Sequence, residues 1–63
     1  MPSLEVQLAV AVFNNKFDVA AELVQAGAPT DKVLHGLRYV LKHPLKYERL
    51  TKVINTTNIR STA

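Results

Sequence analysis

The chain predicts an all-α fold, a small bundle of about four short helices arranged as two helical hairpins. Three observations predict it. Apolar residues recur at helical spacing in three stretches, residues 17–26, 33–41 and 45–54. Gly27 with Pro29, and later Pro44, stand where the first two of these stretches end. The one stretch that alternates like a strand, residues 4–12, has no second strand-like run to pair with.

That alternating stretch lies in LEVQLAVAVFNNKF, residues 4–17. Leu4, Val6, Leu8, Val10 and Val12 fall on every second residue, and the Asn14-Asn15 pair suits a tight turn. A lone strand leaves its backbone donors and acceptors unpaired, so the context decides for a helix. Ala9 and Ala11 fit a helix whose small face touches another helix. As a helix, residues 8–13 are apolar on all sides, which predicts a position between neighbours rather than on the surface.

The second helix begins at Phe17-Asp18, with Val19, Ala20, Leu23 and Val24 at helical spacing. Its alanines, Glu22 and Gln25 are good helix formers. Gly27 supplies the left-handed residue that closes many helices, and Pro29 blocks continuation. Thr30 is the candidate cap of the third helix, with Asp31 in its first turn. Val33, Leu34, Leu37, Val40 and Leu41 form one apolar stripe. Gly36 interrupts it at a cost of about 1 kcal/mol against Ala, which predicts close packing there. Pro44 ends this helix and opens a fourth, whose inward positions are Leu45, Tyr47, Leu50, Val53 and Ile54. Residues 56–63 are polar, β-branched and poor in helix formers, and predict a flexible tail behind a single domain of residues 1–55. The predicted core is Leu8, Val12, Val19, Leu23, Leu37, Val40, Leu41, Leu50 and Ile54.

Residues 7–28, QLAVAVFNNKFDVAAELVQAGA, resemble an ankyrin repeat without a gap. Leu8 stands at the Leu of the family's Thr-Pro-Leu-His opening, and Ala11-Val12 at the small pair of its first helix. Asn15 takes the place of the usual turn glycine, and Asn tolerates left-handed angles. Phe17-Asp18-Val19 and Leu23-Val24, then Ala26-Gly27-Ala28, match the second helix and its end. The opening motif itself is replaced by Val6-Gln7-Leu8-Ala9. Residues 34–54 echo the unit weakly, with Leu34-His35 and Leu50 in corresponding places. The resemblance implies two antiparallel helices over residues 7–28. Because such arrays normally need three or more repeats, two units read as a short relic, an unrelated four-helix fold, or a piece completed by a partner.

A chain of 63 residues buries only roughly 60% of the surface its unfolded form exposes, so its stability is marginal. Hydrophobic residues make up 48%, enough for a packed core and too many for a disordered chain. The chain contains no cysteine, which removes disulfide support and agrees with a reducing, cytoplasmic setting. Self-association remains open as a source of stability. No apolar run approaches 18 residues, and Met1-Pro2-Ser3-Leu4-Glu5 lacks the basic start of a secretory signal.

Nothing in the sequence assembles catalytic chemistry. The five carboxylates form no convincing acid–base pair, and two glycines cannot build a phosphate loop. His35 and His43, eight residues apart, lack metal-ligand spacing. The chain therefore reads as a non-enzyme without a cofactor. The remaining signal is charge. Residues 1–30 carry one cation against three carboxylates, −2, and residues 31–63 seven cations against two, +5. His35, Arg38 and Lys42 lie opposite the third helix's apolar stripe, and Lys46, Arg49 and Lys52 project from the fourth. Tyr39 and Tyr47 flank them. These seven residues predict one exposed basic face. It suits a small interaction module, or an accessory or inhibitory factor, that binds an acidic protein surface or a second copy of itself, with Arg and Tyr as favoured anchors. The alternatives are phosphate contacts to nucleic acid and a merely solvated surface.

Overall fold

The structure, a computed structural model, describes the backbone of residues 2–62 and the side chains of residues 2–57. Helices α1 (Leu4–Phe13) and α2 (Phe17–Gln25) form the first hairpin. The second pairs α3 (Asp31–His35), which runs directly into a π turn at Gly36–Val40, with α4 (Pro44–Thr62). No strand occurs among the described residues, so the alternation in residues 4–12 lies on a helix.

Local chemistry explains the boundaries. Ser3 is extended, and its hydroxyl accepts from the Val6 N–H at 3.2 Å, capping α1. At the other end Asn15 has φ 59°. The Lys16 N–H donates to the Ala11 carbonyl at 2.8 Å and the Asn15 N–H to the Val12 carbonyl at 3.1 Å. This is a Schellman closure with Asn in the left-handed position. α2 ends the same way: Gly27 has φ 97°, with Ala28 N–H bonded to Leu23 O and Gly27 N–H to Val24 O, both at 3.0 Å. Thr30 sits at the start of α3 but makes no side-chain capping bond.

The third helix departs from its predicted form. The Leu41 N–H reaches back five residues to Gly36 O at 2.8 Å, and His43 N–H reaches Leu37 O at 2.8 Å. Lys42 closes the turn at φ 53°. A π turn holds one residue more than an α turn, so later positions lag by about one residue, roughly 100°. Leu37 is still buried, but Val40 and Leu41, predicted for the core, are 69% and 48% exposed.

Gly36 is not a close-packing site either. It has ordinary helical angles, φ −61° and ψ −43°, and a Cβ built on it meets nothing within 4 Å. Gly36→Ala is therefore expected to raise stability by about 0.5–1 kcal/mol. At Gly27 a Cβ is equally unobstructed, but φ 97° strains any L side chain, so Gly27→Ala is expected to cost about 1–2 kcal/mol. Thermal melts of the two variants, moving in opposite directions, check both statements.

α4 begins at Pro44, whose missing N–H costs a helix start nothing, and its first bond runs from Tyr47 N–H to His43 O at 3.0 Å. The helix passes Asn55, where the domain boundary was predicted, and continues through Thr62. Thr57 is buried, at 8% exposure. The side chains of residues 58–63 of the predicted tail lie outside the described residues.

The core joins both hairpins. Leu8, Val12, Leu37 and Leu50 are fully buried, with Ala11, Ala20, Ala28 and Val33 around them. The small side chains of Ala11 and Ala20 sit in this core from α1 and α2. Leu23 and Ile54 pack on it half-buried. Val19, the third predicted core residue that lies outside, is 38% exposed because Ala20 takes the inward position of α2. The radius of gyration, 10.9 Å, matches the value of about 10.6 Å for a compact chain of this length. α1, predicted to lie between neighbours, is covered on one side only, and Val6, Val10 and Phe13 remain exposed.

Candidate functional site

All the predicted site residues except Lys46 and Tyr47 are exposed, and these two are half-buried. They do not form one face. α4 divides them, because Tyr47 and Arg49 are separated by about 200° around its axis.

On the flank toward the second hairpin's own turn stand His35, Arg38, Tyr39, Lys42 and Tyr47. The Arg38 guanidinium carbon lies 5.2 Å from the Tyr39 ring centre and 5.9 Å from that of Tyr47. The His35 and Tyr39 rings are 4.9 Å apart. Leu37, Arg38, Lys42, Pro44 and Tyr47 line a cavity of about 350 Å³. The π turn sets this geometry, since Arg38 and Tyr39 lie within it and left-handed Lys42 follows. Tyr47 is held from below by packing on the core, so one ring of the cluster is anchored in the fold.

On the flank toward α2 the cations are engaged inside the chain. Lys46 Nζ donates to Asn15 Oδ1 at 3.2 Å, and the Arg49 guanidinium lies 5.6 Å from the Phe17 ring centre. These contacts fasten α4 to the α1–α2 turn. Lys52 pairs with Glu48 at 3.8 Å across one helical turn. Such an exposed pair contributes only about 0.3–0.5 kcal/mol. Among the described residues it is the one ion pair.

Arg38 and Lys42 therefore face no carboxylate of their own chain among those residues. Stacking on aromatic rings fixes the plane of a guanidinium while its N–H fork stays open to a planar acceptor such as a carboxylate. Each such contact contributes about 0.5–1 kcal/mol at an exposed site.

The sequence reading missed Asn15 and Phe17 as partners of Lys46 and Arg49, because those pairs join residues about thirty positions apart. It also read the third helix as regular, and no local signal announces a π turn. No group of three or more His, Cys, Asp or Glu that would hold a metal occurs among the described residues. No described helix is long and apolar enough to cross a membrane. Comparison with known proteins finds no family model, curated relative or solved structure that matches the chain.

Proposed function

We propose that this chain is a small non-catalytic interaction module, an accessory or inhibitory factor, that binds an acidic protein surface through Arg38, Tyr39, Lys42 and Tyr47. The supporting observation is the Arg38 guanidinium, stacked on two tyrosine rings with no carboxylate opposite it among the described residues. Arg and Tyr in a partly buried cluster are the residue types that dominate binding energy at protein interfaces. His35 extends the cluster at one edge. Lys46, Arg49 and Lys52, first grouped with it, serve in this reading to hold α4 and keep the surface cationic. The ankyrin resemblance of residues 7–28 and a cytoplasmic location belong to the same proposal.

Nucleic acid is the weaker fit. Stacked bases need open ring faces, and Arg38 already lies over Tyr39 and Tyr47. The cations that would follow a phosphate backbone are split between two flanks of α4. Affinity capture from the native cell, with and without nuclease, separates the two. One stoichiometric protein retained after nuclease, with a shallow salt dependence, is the expected result. Material lost on nuclease treatment, with affinity falling steeply in salt, would identify a nucleic-acid binder instead.

A further inference from the structure

Residues 8–13 of α1 are apolar on all sides, and the fold covers one side of the helix. Val6 and Val10 remain 49% and 54% exposed. They share a groove of about 330 Å³ with Val19 and Leu23 of α2, and no residue of the second hairpin lines it. Lys16 is the one ionisable side chain on its wall. We propose that this α1–α2 face binds the same face of a second copy, giving a two-fold symmetric dimer.

Charge selects that occupant. The first half of the chain carries −2 and the second half +5. An acidic partner is drawn to the second half, whereas a nearly uncharged groove in the first half offers it little. A dimer through the α1–α2 face keeps the two +5 halves at opposite ends, and the −2 halves that it brings together repel each other less than two +5 halves would. It also places complementary groups together. Neither α1 nor α2 has a basic residue in its last turn. With the two α2 helices antiparallel across the axis, Lys16 at the start of one lies by the C-terminal end of the other, where a cation is favoured.

Area sets the strength. A face two helices wide and about 15 Å long withdraws on the order of 1,000 Å² from water over both copies. That is the lower bound for a specific interface, so the dimer is weak and depends on concentration. It leaves Arg38, Tyr39, Lys42 and Tyr47 outward on each copy, which makes the assembly bivalent. The dimer does not depend on what the basic cluster binds.

Sedimentation equilibrium between about 10 µM and about 1 mM tests it, over the range where an interface of this size dissociates. The mass of the wild type is expected to climb from that of one copy toward that of two. Val10→Glu and Val19→Glu, exposed positions on different helices, are each expected to hold it at one copy with the helical dichroism spectrum intact. Leu45→Glu, at a 76% exposed position on the second hairpin, is expected to leave the climb unchanged. A wild type that stays at one copy throughout overturns the dimer. So does a climb beyond two copies, or folded Val10→Glu and Val19→Glu proteins that associate like the wild type.

Discussion

Leu50→Ala is expected to leave most of the protein unfolded at 25 °C. Leu50 is fully buried, at the centre of the core that joins both hairpins. Removing its isobutyl group costs the transfer free energy of the lost atoms plus the cavity left behind, about 2–5 kcal/mol. At 0.05–0.15 kcal/mol per residue, a chain of this length has only about 3–9 kcal/mol in total, and small cores tend to the lower figure. The same truncation at Leu23, which is half-buried at the edge of the core, is expected at the low end of that cost. Urea titrations followed by far-ultraviolet dichroism measure both. A Leu50→Ala midpoint equal to that of the wild type would remove α4 from the core described above.

Thr56→Pro carries the second large effect. The side chain is exposed, yet the residue lies in the interior of α4, which continues through Thr62. Proline there removes the bond to the carbonyl four residues back and clashes with it, at about 3 kcal/mol. The turn that carries Thr57 into its buried place is lost with it. Thr56→Ala, which keeps the helix, is expected to be neutral or slightly stabilising. If residues 56–63 were instead the flexible tail that their composition suggests, proline at 56 would change stability by less than about 0.5 kcal/mol. Thermal melts of the two variants decide between these outcomes.

Signals that act within a few residues were legible. Asn15 and Gly27 carry the positive φ of two Schellman closures, and Pro44 starts α4. The strand-like letters of residues 4–12 were resolved by counting possible partners, and α1 is a helix. Ser3 was overlooked as a cap although its position before Leu4 fits the preference.

Signals that depend on register or on distant elements were not legible. Leu8, Val12, Leu37 and Leu50 fell in the core as their periodicity predicts, whereas Val40 and Leu41 were turned outward by one extra residue in a turn. Val19 lies outward because Ala20 takes the inward position of α2. His35 lies on α3 and Lys46, Arg49 and Lys52 on α4 as their spacing predicts, whereas Arg38 falls in the π turn and Lys42 is the left-handed residue after it, outside any helix. Helical spacing already places Tyr47 and Arg49 about 200° apart around α4, but which neighbour each flank meets follows from how α2 and α3 pack on it. The same limit hid Lys46 with Asn15 and Arg49 with Phe17.

That division into two flanks gives the most direct measurement. Capture of the partner after nuclease treatment is compared for the wild type, Arg38→Ala and Arg49→Ala, each shown by dichroism to be folded. Arg38 lies over its two tyrosines with no ion-pair partner among the described residues, and Arg49 is engaged with Phe17 inside the chain. Loss of a central anchor weakens binding by about tenfold or more, while a residue outside the contact changes it by less than about twofold. The expected result is a partner lost with Arg38→Ala and retained with Arg49→Ala. Full capture by folded Arg38→Ala would contradict a binding site at the Arg38–Tyr39–Tyr47 cluster.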